Sequence, residues 1–184
     1  MTFPTQPVFV YEGTWSAEMR AHPAMDWMYN FTSNIFDNRA WDIPTEQYLT
    51  EDFVLKKSDG TEVHGREAAW AADKALYAPF TAHKHEPRGL MCAENAEGWE
   101  MVGRANLYVN LPGAPSEGEK KVKDLDGKEW DAVCAGMFRF LYVKDESGFQ
   151  GIKLKRTEVC SDPLPALGLM LKRGVVTPEQ LLSG

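Results

Sequence analysis

The stretch "TAHKHEP" at residues 81–87 sets His83 and His85 two positions apart. In an extended chain that spacing aims both imidazoles at the same side. Three readings compete for such a pair. It can move protons, because an imidazole takes and gives one near neutral pH. It can be half of a metal site, which needs a third ligand that nothing in the sequence designates. Or it is two polar side chains at the wet start of a strand. Asp37 is the next candidate. It ends an apolar helical pattern, where an acid lies against the negative end of the helix dipole. Withdrawn from water it suits acid–base work; otherwise it caps the turn "NRAW" through backbone amides. Tyr29, on the side of that helix leading to Phe36 and Asp37, offers a hydroxyl to a substrate carbonyl or simply packs with its hydroxyl in water.

These residues need elements to hold them. Pro23 suits a first helical position, and Ala24, Trp27, Met28, Phe31 and Ile35 recur at three- and four-residue steps. That pattern predicts a helix from Pro23 to about Asp37. Residues 1–22 read as a loose lead-in with a helical turn near Ser16–Arg20. "AWDIPTEQYL" reads as a short helix, and Asp59-Gly60 as a tight turn between two short strands. "REAAWAADKALYAPF" is a helix ended by Pro79. The period then changes to two, giving strands near 82–93, 98–110, 129–143 and 149–159. Residues 161–184 form a helical tail of the domain at 23–160, with Leu164, Leu167, Leu171 and Val175 as its buried stripe. Helices first and a strand meander after them make an α+β protein, a curved, mostly antiparallel sheet on three N-terminal helices.

Composition narrows the function. At 184 residues the chain suggests one domain, and its formal charge of -7 argues against a nucleic-acid partner. No apolar run approaches a membrane span, and the N-terminus lacks a signal layout. Three cysteines without C-x-x-C spacing point to reduced thiols and a cytoplasmic setting, and make a zinc site unexpected.

The stretch "IFDNRAWDIPTEQYLTEDFVL", the turn "DGTEVHGREAAW" before the third helix, the histidine-bearing strand and "GFQGIKLKRTEV" resemble the nuclear-transport-factor-2-like cone fold. The resemblance is to its SnoaL-like and scytalone-dehydratase-like members and covers roughly residues 23–159. It implies a deep apolar pocket, no metal and no cofactor, and dehydration, cyclisation or rearrangement of small ring compounds. It also implies dimers packed through the sheet. By this resemblance Asp37 matches the dehydratase's pocket aspartate and His85 its histidine after the third helix. The place of its second histidine falls at Ala105, and that of its pocket tyrosine near Lys57.

The expected protein is a lyase or isomerase of secondary metabolism. Asp37, His85, His83 and Tyr29 are its catalytic candidates; Phe36, Phe53, Trp70, Met101, Ala105 and Phe138 are its substrate-binding or core candidates. Its expected partners are a small hydrophobic substrate and a second copy of the chain, met through the face carrying Val133, Met137 and Leu141. The rival readings are a non-catalytic ligand carrier and a protein-interaction module on the same fold.

Overall fold

The computed structural model describes residues 6–182. Seven strands form one curved, unclosed sheet: β1 (Val8–Glu12), β2 (Leu49–Lys56), β3 (Glu62–His64), β4 (Ala82–Glu94), β5 (Gly98–Asn110), and, after a two-strand ribbon of β6 (Val122–Lys123) and β7 (Glu129–Trp130), β8 (Ala132–Lys144) and β9 (Ile152–Ser161). The spatial order is β1-β4-β5-β8-β9-β2-β3, antiparallel throughout except where β2 meets β9. The helices are α1 (Pro23–Phe31), α2 (Thr45–Tyr48), α3 (Arg66–Tyr77), α4 (Leu164–Lys172) and α5 (Pro178–Leu182).

Alternation along the long strands decides which side each residue serves. Even-numbered positions of β8, including Phe138 and Phe140, and odd-numbered positions of β5, including Met101 and Ala105, face the helices. They meet in register, Met101 opposite Phe140 and Gly103 opposite Phe138. Gly103 makes room for that ring: a Cβ there would lie 2.5 Å from the Phe138 ring tip and 2.7 Å from the Gly89 carbonyl. On the outer face Arg139 bonds Glu100 and Glu158, each at 2.6 Å, while Met137 is 59% exposed. Val133 and Leu141 are half-buried.

Trp27 is fully buried and donates its indole N–H to the Ile152 carbonyl at 3.1 Å, pinning α1 to β9. Truncating such a residue to alanine costs about 3–5 kcal/mol.

Three features differ from the sequence reading. The lead-in is not loose where it is described, because Val8–Glu12 adds an edge strand, pairing with Gly89–Ala93 of β4. Residues 1–5 and 183–184 lie outside the described residues. The first helix does not run on as α-helix: Thr32–Phe36 is a π-turn, with Asp37 N–H bonded to the Thr32 carbonyl at 2.9 Å. The tail is helical but its stripe is differently phased. Ala166 and Met170 are buried, whereas Leu164 is 70% exposed. "LPALGLML" is apolar at nearly every position, so its pattern could not fix a phase.

Candidate active site

The π-turn is what places Asp37. A wide turn carries one more residue than an α-turn, so Asp37 rather than Phe36 closes the hydrogen bond to Thr32. Arg39 follows in a left-handed conformation (φ 54°) that stops the helix, and its guanidinium reaches the Phe80 carbonyl just past α3. This ties the end of the first helical segment to the start of β4, where His85 lies.

There Asp37 Oδ1 accepts two hydrogen bonds from His85, one from the backbone N–H at 3.0 Å and one from ring Nδ1 at 2.7 Å. With Nδ1 donating to a carboxylate, the neutral ring keeps its lone pair on Nε2. Tyr77, at the end of α3, donates its hydroxyl to that Nε2 at 3.1 Å. Burial pushes the Tyr77 phenol well above its ordinary range, and the charges of Asp73 and Asp37 push the same way. The phenol therefore stays a donor.

His85 and Tyr77 open on a cavity of about 660 Å³ between helices and sheet. Met28, Phe31, Phe36, Leu90, Met101, Ala105, Leu107, Phe138 and Phe140 line much of it, and Ala166, Leu167 and Met170 of the tail line it too. This volume lies in the range usual for small-molecule sites. Two acids share this lining, Asp73 of α3 and Asp59 of the turn after β2.

The other candidates are distributed as follows. Phe36, Met101, Ala105 and Phe138 line the cavity; Phe53 and Trp70 do not, being 0% and 3% exposed in the core behind it. His83 does not line it either. Instead of lying nearer the mouth it is 3% exposed, stacked on Tyr77 at 4.6 Å and on Trp41 at 6.2 Å. Among the described residues its ring nitrogens make no full hydrogen bond, with the Phe36 backbone standing near as an acceptor. Burial, and then the neighbouring His85, lower its pKa to about 4, so it stays neutral. Tyr29 is outside the site, half-buried beneath the Arg20 guanidinium 4.0 Å away and edge-on to Trp15. Met28, Phe31 and Thr32 form the cavity side of that helix, one residue round from Tyr29. Lys57 lines the cavity and pairs with Asp59 at 3.6 Å.

Among the described residues one group could hold a metal ion: Asp37, His83 and His85 each offer a ligand atom, all within 4.8 Å of one another. Asp37 is the third ligand that the sequence did not designate. In the arrangement described, it serves instead as the acceptor for His85.

Sequence reasoning missed Tyr77 and Asp73. Their signal was legible in "REAAWAADKALY", where Ala69, Trp70, Asp73 and Tyr77 recur at three- and four-residue steps as the buried stripe of α3. An acid inside an apolar stripe marks a site or a paired charge.

No family model and no curated protein sequence matches the chain. Solved structures do. A Jannaschia sp. CCS1 protein described as a SnoaL-like polyketide cyclase is 15% identical, with a TM-score of 0.50 over 83% of this chain and 92% of its own. LinA is 16% identical, with a TM-score of 0.54 over 79% and 88%. A Novosphingobium aromaticivorans protein described as a scytalone dehydratase is 16% identical, with a TM-score of 0.51 over 79% and 84%. The likeness shows the fold: the curved sheet and its helices are shared with these three structures. Among the described residues no helix is long and apolar enough to cross a membrane.

Proposed function

We propose that this cone is a cofactor-independent lyase or isomerase acting on a small, hydrophobic, oxygenated ring compound by acid–base catalysis. One observation carries the reading. The Asp37–His85 couple leaves the ring's lone pair on Nε2, where only the Tyr77 hydroxyl meets it, at the wall of a 660 Å³ cavity with mostly apolar lining. The descriptions of two structural neighbours as a cyclase and a dehydratase support the same class.

In the proposed reaction the substrate displaces the Tyr77 hydroxyl from Nε2. His85 then removes a proton from carbon next to a carbonyl, and Asp37 stabilises the imidazolium that forms. The Tyr77 hydroxyl turns to the carbonyl oxygen as it gains negative charge. Return of the proton to another atom gives isomerisation or cyclisation; loss of a neighbouring hydroxyl gives dehydration. The apolar walls exclude water and hold the ring in place. A panel of cyclic hydroxy ketones, followed by mass spectrometry, tests this. Loss of one water, or an isomeric product of unchanged mass, is expected from wild type and not from His85→Ala. Activity retained in that variant contradicts the reading.

A second reading is favoured by three ligand atoms lying within 4.8 Å of one another: a divalent-ion centre on Asp37, His83 and His85. It requires the 2.7 Å hydrogen bond to give way to metal ligation. Dialysis against a chelator separates the two, since the acid–base reading expects unchanged turnover and the metal reading expects its loss.

A further inference from the structure

Asp73 is handled differently from every other buried acid among the described residues. Glu86 pairs with Arg88 at 2.7 Å, Asp124 with Lys84 at 2.9 Å, and Asp131 with Arg173 and Lys121. Asp73 is 5% exposed, lines the cavity, and has neither an ion pair nor a hydrogen bond to its carboxyl among the described residues. The titratable groups around it are His85 from β4 and Tyr77 one turn along its own helix. The remaining charged groups of the lining, Lys57 and Asp59, stand on the turn after β2.

A carboxylate without a cation is expensive against Phe, Leu and Met walls, so the acid form is the stable one. Burial raises the pKa to about 7, and His85 offsets it only in part. A protonated carboxyl is a hydrogen-bond donor, which a carboxylate is not. The cavity thus holds a base on the sheet and a latent acid on the helix.

We propose that Asp73, as the neutral acid, binds the hydroxyl or carbonyl oxygen of the substrate and delivers its proton to a departing hydroxyl. This rests on the acid–base reading of His85 and narrows its substrate class to uncharged ring compounds bearing a hydroxyl one carbon from an acidic C–H. In the step, His85 Nε2 takes the proton from carbon, the C–H electron pair becomes the new C=C bond, and the C–O bond breaks. The oxygen takes the Asp73 proton and leaves as water. His85 is left protonated and Asp73 ionised. One proton passed from the first to the second restores both, and the Tyr77 hydroxyl, 3.1 Å from Nε2 and on the Asp73 face of α3, is placed to relay it. No oxidant or reductant enters.

Binding of 2-tetralone, a neutral bicyclic ketone, tests the assignment, with naphthalene as the control lacking oxygen. Wild type is expected to bind 2-tetralone about tenfold more tightly at pH 5.5 than at pH 8.5, the scale of one hydrogen bond to a donor lost on ionisation. Naphthalene should bind equally at both. Asp73→Asn keeps a donor that does not titrate, so its affinity should be the same at both pH values. Asp73→Leu should bind weakly at both. His85→Ala should keep the wild-type pH dependence, which separates this proposal from the proton-abstraction reading. A pH dependence that survives in folded Asp73→Leu, or vanishes in His85→Ala, overturns the proposal. So does wild type that binds 2-tetralone equally at both pH values, or at neither.

Discussion

A single carboxylate oxygen of Asp37 holds His85 twice, through the backbone N–H at 3.0 Å and through Nδ1 at 2.7 Å. The first bond fixes where the strand passes and the second fixes the ring, so the tautomer is set by the fold itself. The expected consequence is that the neutral form of the ring carries its proton at Nδ1. Long-range ¹⁵N–¹H correlation spectra should show this in wild type and a mixture of tautomers in Asp37→Ala. An Nε2-protonated ring in wild type would refute the arrangement.

Asp73 should carry a pH signature in stability. Its carboxyl titrates near 7 when folded against 3.8 as the ordinary value. A raised folded pKa means full stability below about pH 4, lost progressively as pH rises to 7. Asp73→Leu should therefore gain on wild type across that window, reaching on the order of 4 kcal/mol above pH 7. Urea unfolding at pH 4 and pH 8 measures the difference; a gap that does not change with pH contradicts it.

His83 has the opposite sign. Its folded pKa of about 4 lies below the ordinary 6.5, so its contribution is present above pH 6.5 and is lost as pH falls toward 4. His83→Phe keeps a ring between Tyr77 and Trp41 and removes two buried polar nitrogens. It should melt no lower than wild type at pH 7.5 and higher at pH 5, with catalysis intact. Lost activity in a stable variant would favour the metal reading.

The tail is locked by charge as well as by Ala166 and Met170. The side chain of Arg173 is 1% exposed and bonds Asp131 at 2.9 Å and also Glu119. Burial alone would raise the Asp131 carboxyl, but hydrogen bonds led by that of Arg173 hold it well below the usual carboxylate range. Arg173→Met leaves the buried Asp131 with only Lys121 and the Leu111 amide as partners and should lower stability in urea unfolding. Adding Asp131→Leu should recover part of it. A single variant as stable as wild type would show the cluster to be dispensable.

How much of this was legible in the sequence depended on how local the signal was. Period-two runs placed β4 and β5 closely, and the shared face of His83 and His85 followed from their spacing alone. The depth of His83 did not, because it depends on Trp41 and Tyr77 arriving from other elements. Tyr29 was misplaced because an apolar stripe wider than the cavity side gives no reason to prefer one residue over its neighbour. The π-turn at Thr32–Phe36 has no composition of its own. β1 is an edge strand made by pairing with β4, and five residues beside a longer strand leave little pattern to read.

Proton exchange at carbon tests most directly whether His85 acts as a base toward the cavity. In D₂O, wild type should speed deuterium uptake at C1 of 2-tetralone, followed by ¹H NMR. His85→Ala should reduce the rate at least about a hundredfold, the scale of a general base, while Tyr29→Phe should leave it unchanged. Exchange by His85→Ala at the wild-type rate, or none by wild type above buffer, would contradict that role.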